Sequence, residues 1–261
     1  MNSSFIDEIL SITREAGDIL LDYRKKGFTV SAKLGKELVT EADLAAEEFL
    51  KQHLTRILPN SGFIGEESWD GKFPTATYWV VDPLDGTNNY ASGIPFFCIS
   101  IALVSEGNVT LGLIFDPIHN EMFLALKNTG AYLNEKQIKV QQASSLDQVI
   151  LATGFPYTRS KTDLTFDMSV LTRFMGETRG LRRCGSAALD LAYTATGRYG
   201  GFWEETLKPW DMAAGALLVK EAGGIVTGFR EKSWSIRSKG IQCSTPGIWK
   251  EFKDTIKKHP Q

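Results

Sequence analysis

The sequence predicts a layered α/β protein. Three observations lead there: the N-terminal stretch has helical periodicity, the middle switches to strand periodicity, and the last part alternates strands with helices. With 261 residues, 43% of them hydrophobic, the chain can bury a sizeable core as one large domain or two tightly joined halves.

In residues 5–23, apolar side chains recur at Phe5, Ile6, Ile9, Ile12, Ala16, Ile19, Leu20 and Tyr23. That spacing predicts an amphipathic helix with Ser3 or Ser4 as its cap and Lys25-Lys26-Gly27 as its end. A second helix begins near Thr40, where Thr40 and Asp43 have capping-box spacing, and closes at Pro59-Asn60. Its buried stripe is predicted at Leu44, Ala45, Phe49 and Leu54, with Glu48 at the edge. Short strands follow at 63–64 and 78–81, each running directly into acidic residues. Strand segments at 96–104, 109–115 and 121–126 are separated by Glu106-Gly107-Asn108 and Asp116-Pro117. Beyond them the pattern predicts a strand at 148–153, helices at 162–177, 186–196 and 211–222, and a strand at 225–227. The helix at 211–222 follows Pro209 and stops at Gly223-Gly224. Residues 141–147 are the candidate boundary between an N-terminal half, 1–145, and a C-terminal half, 146–261.

Composition narrows the function. There are 29 basic and 31 acidic residues, a net charge of −2, so nothing draws nucleic acid or an anionic membrane to the chain as a whole. Cys98, Cys184 and Cys243 are too scattered for a disulfide framework or a zinc pattern. His53, His119 and His259 form no metal-binding motif. The first ten residues lack the basic start and apolar run of a signal peptide, and no apolar stretch reaches ~18 residues. A soluble, cytoplasmic protein is the expectation.

The chemistry concentrates in three acidic segments: Gly65-Glu66-Glu67-Ser68, Asp82-Pro83-Leu84-Asp85-Gly86-Thr87 and Trp210-Asp211-Met212. Asp82 and Asp85 leave a strand end three residues apart, with Pro83 stiffening the link and Gly86 allowing a tight turn. Carboxylates gathered this way repel one another unless a cation or a proton lies between them. Oxygen donors without His or Cys favour Mg²⁺ or Mn²⁺ over Zn²⁺. Taken singly, each acid also has a plain reading: Asp82-Pro83 and Asp85-Gly86 as turns, Asp211 as a helix cap, Glu66 and Glu67 as solvated charges.

Together these segments resemble the inositol monophosphatase family. The resemblance rests on Leu38-Val39-Thr40-Glu41-Ala42-Asp43, Gly65–Ser68, the Asp82-to-Asn88 segment, Gly185-Ser186-Ala187-Ala188 and Trp210–Gly215, in the family's order across residues 36–224. It implies a penta-layered αβαβα fold, a homodimer, and activation by two or three Mg²⁺ ions, with Mn²⁺ as a substitute and Li⁺ as a competitor. Carried over by position, Glu66, Asp82, the Leu84 carbonyl, Asp85 and Asp211 become the metal ligands, with Asp82 bridging. Thr87 with Asp43 would polarise the attacking water while Glu66 helps orient it. Gly86 and Thr87 would receive the phosphate, and Gly185, Ser186, Ala187 and Glu204 would face the substrate's polyol. Ser92 and Lys208 stand where many relatives carry histidine, and residues 33–36 resemble a mobile metal-supporting loop.

The resemblance implies hydrolysis of a phosphate monoester, first of all an inositol monophosphate. Fructose 1,6-bisphosphate, other sugar or polyol phosphates, histidinol phosphate and 3′-phosphoadenosine nucleotides are the competing substrates. Because some bacterial relatives bind transcription machinery, association with RNA polymerase or ribosomal RNA processing is the alternative from another class. Arg173, Arg179, Arg182 and Arg183 would be its basic patch.

Overall fold

The computed structural model describes residues 3–32, 38–155 and 168–257. Helix α1 (Ser3–Lys26) buries Ile9, Ile12, Ala16 and Leu20 as the periodicity predicts, and it already includes Ser3 and Ser4. Strands β1 (Val30–Ala32) and β2 (Leu38–Thr40) form an antiparallel pair that periodicity did not reveal. Helix α2 (Glu41–Ile57) starts with the predicted capping box. The Thr40 hydroxyl accepts from the Ala42 and Asp43 N–H groups, and the Asp43 carboxylate accepts from the Thr40 N–H.

The predicted α2 stripe needs correction. Leu44 is 53% exposed, Glu48 is exposed, and Ala45 and Phe49 are only partly covered. The buried face is Ala42, Asp43, Ala46, Glu47, Leu50 and Leu54. Two of these are acids, which a stripe drawn through apolar residues passes over. They tolerate burial because each carboxylate is hydrogen-bonded, Asp43 to Thr40 and Thr87 and Glu47 to the Glu67 N–H.

Strand β3 (Gly62–Gly65) pairs in parallel with β4 (Thr77–Asp85), which runs into the short helix α3 (Thr87–Ala91). A meander follows: β5 (Cys98–Ser105), β6 (Asn108–Asp116), β7 (Glu121–Leu126), β8 (Gly130–Leu133) and β9 (Lys136–Ile138), each antiparallel to the strand before it. Two reversals use two-residue turns with positive φ at both positions, Glu106-Gly107 and Asn134-Glu135. That turn geometry matches the right-handed twist of paired strands. The result is a seven-stranded sheet in the order β3 to β9.

The rest of the chain supplies β10 (Ile150–Thr153), α4 (Met168–Glu177), β11 (Gly180–Arg182), α5 (Ala187–Ala195), β12 (Gly201–Glu204), α6 (Pro209–Glu221), β13 (Ile225–Gly228), β14 (Ile241–Ser244) and α7 (Trp249–Lys257). Its strands form a mixed five-stranded sheet, ordered β11-β10-β12-β14-β13. Of the helix predicted at 162–177, the part before Met168 lies outside the described residues.

The layers follow the expected αβαβα order. Helices α1 and α2 pack on one face of the large sheet, α5 and α6 lie between the sheets, and α4 with α7 covers the small sheet. Helix α6 is apolar nearly all round, which suits an element buried between two sheets. At its crossing with β6, a Cβ on Gly112 would come 2.6 Å from the Ala214 carbonyl oxygen, so that strand position requires glycine. Among the described residues, no helix is long and apolar enough to cross a membrane.

Candidate active site

The acidic centre begins with a fault in strand pairing. Asp82 pairs with Ser100 and Asp85 with Cys98, so Pro83 and Leu84 together oppose the single residue Ile99. This is a β-bulge. In a regular strand, residues three apart face opposite sides. The extra residue cancels that alternation, and both carboxylates line the same pocket. The Leu84 N–H donates to Asp82 Oδ1 at 3.0 Å, while Pro83 has no N–H to leave unpaired.

Other elements bring their ends to the same place. The Ser100 hydroxyl donates to the Trp210 carbonyl at 3.0 Å and so seats the start of α6 beside Asp82. Asp211, in the first turn of α6, accepts the Lys208 N–H at 2.7 Å. Ser186 caps α5, and its hydroxyl donates to Asp85 Oδ2 at 2.6 Å. The Ala188 N–H reaches the same oxygen at 2.7 Å. Gly86 opens α3 with φ of 98°, a conformation that favours glycine. The N-terminal ends of α2, α3, α5 and α6 thus gather here, and their partial positive charge favours anions.

The Thr87 hydroxyl lies 3.1 Å from Asp43 Oδ1 and 3.0 Å from the Leu84 carbonyl oxygen, either of which can take its proton. Asp43 Oδ2 is fixed by the Thr40 N–H at 2.8 Å and the Thr40 hydroxyl at 2.5 Å. The Glu66 N–H donates to the Val81 carbonyl, tying the Gly65–Glu67 turn to β4. The Glu67 N–H donates to Glu47 Oε2 at 2.8 Å.

The electrostatics are one-sided. Withdrawal from water, then the charges of Glu66, Asp85 and Asp211, push Asp82 well above the usual carboxylate range. Asp211 is raised by burial, Asp85 and Glu66. Burial raises Asp85 to about 6, against the bonds from Ser186 and Ala188 that favour its ionised form. Among the described residues, no lysine or arginine lies within 4.0 Å of the Asp82, Asp85 or Asp211 carboxylates. No three Asp, Glu, His or Cys side chains among them already close around one ion-sized point. The donor set nevertheless fits a hard cation. These are oxygen donors, each aspartate gives one oxygen to a chain N–H, and lone pairs remain to accept a positive charge that no side chain supplies.

Glu66, Asp82, Leu84, Asp85, Gly86, Thr87, Glu204 and Asp211 line one pocket of about 550 Å³. A side recess of about 50 Å³ shares Asp85, Glu204 and Asp211 and adds Gly185, Ser186 and Ala187. Asp43 stands behind Thr87. Ser186 is 1% exposed and its hydroxyl is engaged by Asp85, so its contribution is to hold Asp85 in place. Lys208 lines the large pocket, whereas Ser92 ends α3 outside its lining. The loop at 33–36 lies outside the described residues.

The sequence reading missed Glu47, Asp190 and Gly154. Glu47 is one helical turn from Asp43, a spacing that could have marked it. Asp190 is an acid in the otherwise apolar run of α5. Gly154 carries no signal of its own; a Cβ there would fall 1.9 Å from a Glu204 oxygen.

The profile of the inositol monophosphatase family matches residues 1–260. The chain belongs to the inositol monophosphatase family. Membership supports metal-dependent phosphatase activity. The Nus factor SuhB of Pseudomonas aeruginosa is 39% identical over 256 residues, covering 96% of this chain and 94% of that protein. An inositol-1-monophosphatase of Rhizobium meliloti is 36% identical over 249 residues, 95% of this chain and 91% of the relative. The crystal structure of the extragenic suppressor protein suhB from Bartonella henselae superposes with a TM-score of 0.91 at 37% identity, covering 99% of this chain and 100% of that one. The αβαβα layering is therefore that of an inositol monophosphatase fold.

Proposed function

We propose that the protein hydrolyses phosphate monoesters of small polyols in a Mg²⁺-dependent reaction, with an inositol monophosphate as the preferred substrate. The observation that carries this reading is the crowding of Asp82, Asp85 and Asp211 at one pocket without a basic partner, beside the Thr87–Asp43 pair. Glu66, Asp82, the Leu84 carbonyl, Asp85 and Asp211 would hold two or three Mg²⁺ ions, or Mn²⁺. Bound Mg²⁺ supplies positive charge for the phosphate oxygens and the departing alkoxide, and makes water a better nucleophile at neutral pH.

The chain's own groups do the rest. When Thr87 donates to Asp43, its oxygen lone pairs are left to accept from a water and aim it at phosphorus. Asp43 cannot swing away, because Thr40 holds its other oxygen. Burial lifts Asp43 above the ordinary carboxylate range, making it a better proton acceptor through Thr87. The N–H groups of Gly86 and Thr87 at the start of α3 suit a phosphate oxygen, and Glu204 with Gly185 and Ala187 would face the polyol.

The name of the Rhizobium relative supports the choice of substrate. The deciding experiment is phosphate release with Mg²⁺ from myo-inositol 1-phosphate, fructose 1,6-bisphosphate, histidinol phosphate and 3′-phosphoadenosine 5′-phosphate. The highest kcat/KM is expected for the inositol ester, with Li⁺ inhibiting. No turnover of any of them by folded protein with Mg²⁺ or Mn²⁺ would sink the proposal. The active species is expected to be a cytoplasmic homodimer, which sedimentation velocity checks for its assembly state. Each protomer would join a 1–145 half, carrying most of the acids, to a 146–261 half bringing Asp211 and Glu204.

A second reading, association with transcription machinery, draws on the Nus factor name of the Pseudomonas relative. It separates cleanly from catalysis: Asp85→Asn should stop phosphate release and leave RNA polymerase binding intact, and equal loss of both by folded protein would remove that separation.

A further inference from the structure

The far end of α6 lines a second cavity, of about 440 Å³, away from the acidic centre. Lys220, in the last turn of α6, lies about 14 Å along the helix axis from Asp211 in the first. Lys127 follows β7 and is drawn to it by its neighbours. Both oxygens of Glu221 accept chain N–H groups from the turn after β7, Asn128 at 2.8 Å and Gly130 at 2.9 Å. The Lys127 N–H donates to the Thr110 carbonyl at 3.0 Å, which fixes its backbone on β6. The two lysines therefore line one cavity, while the acid beside them is spent on backbone donors. Among the described residues, no carboxylate lies within 4.0 Å of either ammonium. Partial burial, then the charge of Lys127, hold Lys220 below the usual lysine range.

A cation in the last turn suits the helix dipole, which accounts for Lys220 alone. It does not account for a second ammonium beside it, nor for the wall they share. Val109, Leu217 and the Trp234 indole form that wall, with Lys220 Nζ 5.1 Å from the ring centre. Trp234 sits in the loop 229–240 between β13 and β14, which is fastened internally. The Ser238 hydroxyl accepts the Ser235 N–H at 3.1 Å and donates to Glu231 Oε2 at 2.8 Å. The indole N–H is enclosed and has no acceptor among the described residues. Buried donors are seldom left so.

We propose that this cavity binds a small organic oxyanion, a phosphate ester or a carboxylate, between Lys127 and Lys220, with its body against Trp234. The site is separate from the catalytic pocket and independent of the phosphatase reading. Two ammonium groups match the charge of a dianion, and the cavity has the size of a small-ligand site. An anion oxygen seated between Lys220 and the indole would also accept the orphaned N–H. Basic charge confined to two lysines suits one small anion and not the long backbone of a nucleic acid. The apolar wall favours an anion with an aromatic body over a bare ion.

The probes are phenyl phosphate and benzoate, with inorganic phosphate and acetate as anions that lack the body. Each is titrated by ligand-observed NMR against the metal-free protein in low salt, where the crowded carboxylates of the active centre repel anions. One saturable site is expected, tighter for each aromatic anion than for its bare counterpart. The tighter of phenyl phosphate and benzoate identifies the head group. Lys127→Gln and Lys220→Gln should each weaken binding about 10- to 100-fold. Trp234→Phe, which keeps a ring and loses the N–H, should weaken it about 3- to 10-fold. Lys250→Gln on α7, at an exposed lysine outside the cavity, should leave the affinity as it is. Lys127 and Lys220 are also exposed, so their variants should melt as wild type does and keep its phosphate release with Mg²⁺. No saturable binding of any probe by wild type overturns the inference, as does equal binding by wild type and both lysine variants. Bare anions that bind as tightly as aromatic ones, or an equal loss from Lys250→Gln, overturn it too. So does a folded lysine variant that loses phosphate release along with binding, since that would merge this cavity with the catalytic pocket.

Discussion

The Ser186 hydroxyl donates to Asp85 Oδ2 at 2.6 Å, a bond between residues 101 positions apart that joins the bulged strand of the large sheet to the start of α5. The same hydroxyl accepts the Leu189 N–H, so one side chain both caps a helix and holds an acid. Ser186→Ala should therefore have two separable effects. Losing the cap and the bond should cost about 1–2 kcal/mol of stability, read from the denaturation midpoint. Losing a donor to the ionised carboxylate should raise Asp85 and move the acidic limb of the kcat/KM–pH profile upward. A lowered midpoint with an unmoved limb would mean that Ser186 only caps the helix.

The acids predict a pH-dependent response to metal. Asp82, Asp85 and Asp211 all lie above the unstructured value of 3.8, Asp85 at about 6. The folded metal-free protein thus retains protons that the unfolded chain has released. Its stability is favoured below the unfolded pKa and falls as pH rises through the folded values. A divalent cation takes the place of those protons. Thermal melts should show Mg²⁺ raising the midpoint much more near about pH 8 than near about pH 5. Equal Mg²⁺ shifts at both values would contradict the linkage.

Asp85→Asn should uncouple stability from activity. It removes one of several mutually repelling carboxylates, so the metal-free midpoint should stay level or rise. Phosphate release with Mg²⁺ should drop roughly 1,000-fold or more, because the positive charge meant for the phosphate is no longer held in place. Calorimetry with Mn²⁺ should show weakened binding alongside. Full Mn²⁺ affinity in the variant would remove Asp85 from the metal site.

Much of this was legible in the sequence, for reasons that individual residues make plain. Ile9, Ile12, Ala16 and Leu20 lie on the buried face of α1 because a long helix packed on one side must repeat its apolar residues. Pro209 and Gly223 bracket α6 through backbone chemistry alone. What escaped was set by tertiary contact. Leu44 looks like core but opens onto the pocket, and Glu47 looks solvated but is buried, because its partner is an amide twenty residues on. Asp82 and Asp85 are plain as a pair, yet a period of two would send them to opposite faces. Only the pairing of β4 with β5 reveals the bulge that reunites them. Strands such as β9 and β11 have three residues each, too few for any period to appear.

Thr87 provides a test of proton handling. Thr87→Ser keeps the hydroxyl between Asp43 and the Leu84 carbonyl and should retain activity within about tenfold. Thr87→Val keeps the shape but loses the proton relay, and kcat should fall roughly 100-fold or more with KM nearly steady. Comparable rates for the two variants would show that water is oriented without Thr87.

Glu47 anchors the turn that carries Glu66. Its Oε2 accepts the Glu67 N–H at 2.8 Å, and it fits only because Gly65 has no side chain; a Cβ there would lie 2.4 Å from the same oxygen. Glu47→Gln keeps an acceptor oxygen in place and should be mild. Glu47→Ala leaves the Glu67 amide without its bond, and Gly65→Ala forces Glu47 aside at a cost of about 1–3 kcal/mol. Both should release Glu66, so Mn²⁺ titrations should show weaker binding and a higher Mg²⁺ concentration should be needed for half-maximal activity. At saturating Mg²⁺ the rate should largely recover, because Glu47 positions the turn and does not touch the reacting phosphate. Failure of excess Mg²⁺ to restore the rate in folded Glu47→Ala would place Glu47 in the chemistry itself.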